Sequence, residues 1–388
     1  MFLPGIDVLL RRHPDWIRGR RLGLISHQAA LGANGATSAR LVHDAPGACL
    51  AALFGPEHGF YGTENAGELT RPCRHARWGI PIHSLYGAAR RPTPAMLRGL
   101  DVLIFDLQDL GVRCYTYVST LRLALEAAAE AGLRFIVADR PVPLPNVVDG
   151  PVLDPRFESF AASVPGPLCL GMTPGETALW FKRELGLKLD LRVARLQGYR
   201  RQAARGPDWP PWVPPSPGIA SWESAACYPA TVFTEALPAV LCGRRSTLPF
   251  QLLAGPPAWE SQLVRSLERL RLPGLALYPH RFQPAWGDGS DRAHEGVRLV
   301  VTDPNAFRPA QASVVLVHTL QKLAGTRRLW SGPGARPEWF DKLYGTDTVR
   351  LALQAGESPA AIARSWAPGL RRFAQSRRAC LLYPAGKE

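Results

Sequence analysis

Lysine is nearly absent from this 388-residue chain: five Lys stand against 41 Arg, with 32 acidic residues and a formal charge of +14. A basic balance of that size suggests nucleic acid only when Lys and Arg gather on one face or in one run. Here the arginines are scattered through a chain rich in Ala, Gly and Pro, with short clusters only at Arg18–Arg21 and Arg371–Arg378. The bias fits a GC-rich genome, and no nucleic-acid partner is expected. A few arginines are better placed to meet a small anionic substrate, because a planar guanidinium pairs two-pronged with a carboxylate. C-x-x-C is missing as well. The seven Cys are widely spaced, at 49, 73, 114, 169, 227, 242 and 380, which suggests neither a zinc knuckle nor a disulfide framework. Free thiols point to a reducing compartment. No H-x-x-x-H occurs, and His27, His43, His58, His75 and His83 are not at metal-ligand spacing, so no metal is expected. No G-x-G-x-x-G follows a strand, so the dinucleotide fingerprint is absent and no cofactor is expected. The N-terminal MFLPGIDVLLRRHPDW is interrupted by charge too early for a secretory signal or a membrane span. A soluble, cytoplasmic protein with no membrane partner is expected.

What is present is a packed, alternating chain. Hydrophobic residues make up 46% of it, with 11 Trp, and its length exceeds what one core usually supports, so two domains are expected. Strand patterns at Leu22–Ser26, Cys49–Phe54, Ile80–Leu85, Val102–Phe105, Phe135–Ala138 and Leu189–Leu196 alternate with helical ones at Ser38–His43, Thr93–Leu100, Leu121–Ala131 and Thr173–Leu185. The helix at Leu121 is expected to be capped by Ser119 or Thr120, and Thr173-Pro174-Gly175-Glu176 reads as a capping box. Strands spaced by helical crossovers imply a Rossmann-like α/β fold, a doubly wound parallel sheet. The rhythm breaks at Gly206–Gly218, GPDWPPWVPPSPG, where proline density forbids regular structure. This places a boundary between residues 1–205 and a smaller mixed α+β domain, 206–388. That second part reads as a helix at Ser221–Ala230, strands at Leu275–Tyr278 and Gly296–Thr302, and helices at Trp259–Leu270, Gln311–Leu323, Phe340–Leu353 and Pro359–Trp366.

Three strands are expected to end in polar groups at one sheet edge, where ligands bind in open α/β sheets. Val102–Phe105 runs into Asp106, Gln108, Asp109, Arg113, Tyr115 and Tyr117. Ala51–Phe54 runs into Glu57-His58, beside Gly59, which permits a tight turn. Phe135–Ala138 runs into Asp139-Arg140. Glu57 can serve as general acid or nucleophile and His58 can orient or shuttle a proton. Asp106 or Asp109 can supply the second carboxyl that glycoside hydrolysis requires, although either can instead cap the following backbone. Arg113 and Arg140 can clamp an anion, or pair with Asp109 and Asp139. Glu176 reads more readily as a helix-start residue, though helix N-termini at a sheet edge also bind anions. Trp209, Trp212 and Trp222 can form a sugar-stacking wall or pack between domains.

The blocks GIDVLL (Gly5–Leu10), RLGLISHQ (Arg21–Gln28), FGPEHGFYG (Phe54–Gly62), IPIHSLYG (Ile80–Gly87), DVLIFDLQDLGVRCYTYVSTL (Asp101–Leu121), ADRPVP (Ala138–Pro143) and GMTPGETA (Gly171–Ala178) resemble the NamZ-type exo-β-N-acetylmuramidases. PPSPG (Pro214–Gly218), GVRLVVTD (Gly296–Asp303) and FDKLYGTD (Phe340–Asp347) extend the resemblance over essentially the whole chain. It implies a C-terminal domain closing over a Rossmann-like one, and release of N-acetylmuramic acid from the non-reducing ends of peptidoglycan fragments or muropeptides. The lactyl carboxylate of that sugar suits an arginine, with Arg113 and Arg140 as candidates. Glu57 is then the leading general acid, with His58 and Asp106 or Asp109 in support. Gln108, Tyr115, Tyr117, Asp139, Glu176, Glu235 and Arg244 are expected on the substrate. The chain departs from the family pattern at Val142, where Asn is usual, at Gly218, where PSPN is usual, and at Glu235–Pro238 and Gly243–Ser246, which replace E-G-T-N and G-R-G-T. Those departures leave a second reading, a sugar-binding protein on a glycosidase scaffold.

Overall fold

The computed structural model describes residues 1–201, 205–285, 287 and 290–384. Seven strands, β1 (Arg21–Ser26), β2 (Cys49–Gly55), β3 (Cys73–Arg74), β4 (Pro81–Ser84), β5 (Val102–Asp106), β6 (Arg134–Ala138) and β7 (Leu191–Ala194), form one sheet in the order β3-β4-β2-β1-β5-β6-β7. All neighbours are parallel except β3 and β4. Helices α1 (Gly5–Arg12), α2 (Ser38–His43), α3 (Pro94–Leu97), α4 (Tyr117–Glu130) and α5 (Pro174–Glu184) complete this part. Such short apolar strands succeed because both sheet faces are covered. Ile6, Leu9 and Val42 of α1 and α2 pack on Leu24, Leu53, Ile104 and Ile136. Leu121, Leu125 and Phe181 of α4 and α5 lie against Phe54, Phe105 and Phe135 on the other side. The α/β doubly wound expectation holds.

The chain leaves β1 toward β2 and β4, then crosses back to β5 and continues to β6 and β7. The reversal lies between β1 and β5, paired from Leu22–Val102 to Ser26–Asp106, and in open α/β sheets the crevice outside the carboxyl ends at such a reversal is where ligands bind. Beyond residue 206 come α6 (Trp222–Thr231), β8 (Leu252–Ala254), α7 (Glu260–Glu268), β9 (Leu275–Phe282), β10 (His294–Val301) and α8 (Pro309–Ala324). The three strands make an antiparallel sheet in the order β8-β10-β9, and short helices follow to residue 377.

Three local differences from the expected elements have physical causes. The helix expected over Phe340–Leu353 is two, Pro337–Tyr344 and Thr348–Gln354, because Gly345 turns left-handed (φ 68) to end the first. A Cβ on Gly345 would lie 2.6 Å from Nη2 of Arg113, so that stop also makes room for a guanidinium. Helix α4 starts before Ser119, and its N-cap Thr116 makes no side-chain cap bond. The arginine cluster at 371–378 belongs mostly to a further helix, Ala367–Arg377. The capping box on α5 forms as expected, with Thr173 and Glu176 bonded reciprocally.

Candidate active site

Glu57 is held from three directions at the mouth of β2. The turn that carries it has both His58 and Gly59 left-handed, at φ 71 and 76, a strained conformation for His58 that persists only where the surroundings fix it. The Thr116 hydroxyl, the missing cap of α4, donates to Glu57 Oε2 at 2.6 Å, and the Gly67 N–H donates to Oε1 at 2.9 Å. The Tyr86 phenol stands beside the same carboxylate, and burial with the Glu57 charge raises its pKa. Glu57 itself is 8% exposed, open at its tip only. His58 turns away from it: Nδ1 donates to the Glu64 carbonyl at 2.8 Å, which fixes the tautomer and pins the flap of residues 59–67.

Across the switch point, β1 delivers His27 and Gln28, neither singled out as a site residue above. The Gln108 N–H donates to His27 Nε2 at 2.9 Å. Burial, aided by the Arg140 charge, pushes the His27 pKa well down, so its ring is neutral with the proton on Nδ1. Gln28 Nε2 donates to the Pro214 carbonyl at 2.8 Å, and the Tyr117 hydroxyl to the Pro215 carbonyl at 2.6 Å. These bonds seat the proline-rich crossing as the roof of the crevice. Tyr115, its ring 4.8 Å from Tyr117, has its hydroxyl next to Ser216. Asp109 completes the group. Its Oδ1 accepts the Leu110 and Gly111 N–H groups at 2.5 and 2.8 Å, yet burial pushes its pKa up to about 7.

The structure thus gathers Glu57, Asp109, Tyr115 and Tyr117, and withdraws several other expected residues. Asp106 is fully buried, receiving Ser38 and a two-pronged bond from Arg140. That pair ties β5 to β6, and Arg140 also donates to the Leu31 carbonyl at 3.0 Å. Gln108 uses its amide on the Asp109 and Pro141 carbonyls at 3.0 and 2.8 Å, bracing the two loops. Arg113 is wholly buried and pairs with no carboxylate among the described residues. Its guanidinium donates to the carbonyls of Pro151 at 2.9 Å, Gly166 at 2.7 Å and Tyr344. Asp139 accepts Thr173 at 2.8 Å, Gly175 N–H at 2.7 Å and the Tyr383 hydroxyl at 2.5 Å. Glu176 pairs with Arg201 and accepts the Leu382 N–H at 2.8 Å. Both acids are buried with every oxygen engaged, so they fasten the C-terminal tail and do not face the crevice.

In the C-terminal half, Glu235 and Arg244 pair at 3.3 Å. Arg244 lies over the Phe250 ring, 5.4 Å from its centroid. Gly218 faces the same ring, and a Cβ there would come within 3.0 Å of it, so the glycine in place of the usual asparagine fits a tight contact. Val142 is buried and packs against Gly111, beside the Asp109 turn. The tryptophans form an aromatic cluster, Trp209 and Trp212 each edge-on to Trp222. Among the described residues no three His, Cys, Asp or Glu side chains come together to hold a metal, and no helix is long and apolar enough to cross a membrane.

A Rossmann-like sheet with two carboxyl groups and two phenols at its switch point, under the proline-rich crossing, has the groups that hydrolases of the two-carboxyl class use. The chain belongs to the exo-β-N-acetylmuramidase NamZ family and is a glycoside hydrolase: the family's N-terminal model matches residues 22–223 and its C-terminal model residues 226–383. It is 35% identical over 380 residues to the peptidoglycan β-N-acetylmuramidase NamZ of Bacillus subtilis, covering 98% of this chain and 91% of that protein. Two DUF1343 family proteins of Bacteroides fragilis share the structure. One has a TM-score of 0.90 at 30% identity, covering 98% of this chain and 99% of that one; the other has a TM-score of 0.76 at 27% identity, covering 100% of both.

Proposed function

We propose that this protein releases N-acetylmuramic acid from the non-reducing ends of peptidoglycan fragments, in the crevice between a lobe of residues 1–205 and one of 206–388, as a step of cell-wall turnover. The observation that carries the reading is the convergence of Glu57 and Asp109 on the Tyr115 and Tyr117 phenols at the switch point. Hydrolysis of a β-glycoside needs one protonated carboxyl at the leaving oxygen and a negative or nucleophilic group at the anomeric carbon. Asp109, its pKa near 7, suits the first role, since the carboxyl with the raised pKa is the acid. Glu57, with Thr116 and Gly67 donating into its two oxygens, suits the second. This reverses the assignment expected from sequence, where Glu57 was the acid. His58 positions the Glu57 turn and does not touch the sugar. Tyr115 lends its hydroxyl to the ring while Tyr117, spent on the Pro215 carbonyl, holds the roof, and Glu235 and Arg244 line the opposite wall. All seven cysteines are unpaired, which supports action in a reducing compartment such as the cytoplasm.

The test is release of 4-nitrophenol from the 4-nitrophenyl β-glycoside of N-acetylmuramic acid, run beside the N-acetylglucosamine glycoside. Turnover of the muramic compound, lost in Glu57→Gln, is the expected result. Folded protein that cleaves neither glycoside would sink the hydrolytic reading.

A further inference from the structure

Muramic acid differs from glucosamine by the lactyl carboxylate on O3, and the two arginines first offered for it are both closed on internal partners. Another guanidinium stands at the same rim. Arg90 follows β4, the strand next to β2, on a loop fastened where the Thr70 N–H donates to the Tyr86 carbonyl at 2.8 Å. Its Cζ lies 3.7 Å from the centroid of the Tyr86 ring and 5.0 Å from that of Phe160, the two rings themselves 5.5 Å apart and tilted by 57°, so the guanidinium rests over Tyr86 with Phe160 at its flank. The Tyr86 phenol meets both the Glu57 carboxylate and the Arg90 side chain in hydrogen-bond contact, their effects on its hydroxyl being opposite in sign. One phenol therefore separates Arg90 from the proposed reacting carboxylate. The adjacent Arg91 is drawn off to Glu130.

The terminal nitrogen Nη1 of Arg90 is buried and has no hydrogen-bond acceptor among the described residues. Buried donors in folded proteins are almost always paired, and one that is not asks for an absent acceptor. A guanidinium held by the Tyr86 ring and by a hydrogen bond to the Tyr86 phenol, with Nη1 still unpartnered, is built to receive a carboxylate oxygen. The geometry points to Arg90 as the receptor of the substrate's lactyl carboxylate, which makes it the residue that separates muramic acid from glucosamine. This rests on the proposed substrate, and it gives Arg244 no part in that discrimination.

The experiment is calorimetric titration of the whole protein with N-acetylmuramic acid and with its methyl ester, which keeps the shape and removes the charge. Wild type should bind the acid at least about tenfold more tightly than the ester, the worth of one hydrogen bond to a charged group. Arg90→Gln should bind acid and ester alike, Arg90→Lys should keep part of the preference, and Arg244→Gln should keep all of it. A wild type indifferent to esterification, or a preference that survives in Arg90→Gln, overturns the assignment; the wild-type comparison decides even if a variant fails to fold. Loss of nitrophenol release with the acid preference intact would refute the hydrolytic reading alone.

Discussion

Asp109 and Glu57 sit within one polar cluster, Asp109 bonded only by backbone N–H groups and Glu57 by the Thr116 hydroxyl and the Gly67 N–H. Burial raises Asp109 to about 7 against the pull of two backbone N–H donors, so near neutral pH about half of it carries the proton an acid must give. A good leaving group such as 4-nitrophenolate departs without protonation, whereas a sugar alkoxide does not. Asp109→Asn should therefore lose about 10²- to 10⁴-fold on a muramic acid disaccharide and much less on the nitrophenyl glycoside. Glu57→Gln should fail on both. Measured as kcat/KM on the two substrates, the opposite pattern would return the acid role to Glu57. The same assignment predicts that disaccharide cleavage declines as pH rises through about 7, and that the decline disappears from the pH profile of Asp109→Asn.

At the scale of elements, the strand ends do different work although they read alike. Those of β1, β2 and β5 feed the crevice, while the β6 end carries Asp139, which binds the tail through Tyr383. Burial raises Asp139 to about 7 as well. A carboxyl whose folded pKa lies above its unfolded value of 3.8 binds more protons when folded. Its contribution is complete below about pH 4 and is lost as pH rises through about 7. The melting temperature should accordingly fall between pH 5 and 8, and Asp139→Asn should flatten part of that slope in calorimetry. Tyr383→Phe should cost about 1–3 kcal/mol by leaving a buried acceptor short of its donor. These distinctions mark the limit of what the sequence discloses. Short apolar runs located β1, β2, β5 and β6, and Thr173 with Glu176 announced α5, because each signal is local. Two-residue β3 and three-residue β8 are too short to show a period. Asp106 and Asp109 look equivalent in DLQD, and only the arrival of Arg140 and Ser38 on the first separates them. Arg90 lay in a plain turn, since its meaning comes from Tyr86, Phe160 and an acceptor the chain does not contain.

For the molecule as a whole, a shared core makes the halves behave as one, and Arg113 adds a polar tie between them. Its guanidinium joins carbonyls at Pro151 and Gly166 to that of Tyr344, and one apolar core continues from Phe105 and Leu121 beneath the sheet to Phe233, Leu316 and Phe340 beyond the proline-rich crossing. Burial lowers its pKa only to about 10, so it stays charged at neutral pH, neutralised by carbonyl dipoles alone. Arg113→Met would leave those carbonyls buried and unpaired, at a cost of about 3–5 kcal/mol by analogy with removing one partner of a buried charge pair. Lysine cannot span the same carbonyls, because its ammonium is a single point and not a fork. With a continuous core, calorimetry should find a single unfolding transition for the wild type, shifted down but still single in Arg113→Met. Two resolved transitions in the wild type would mean that each lobe holds its own core and that Arg113 is a local brace. A single transition would mean that the crevice between the lobes is shaped by the same core that folds them, and that the distance between Glu57 and the Arg244 wall cannot change without loosening the whole.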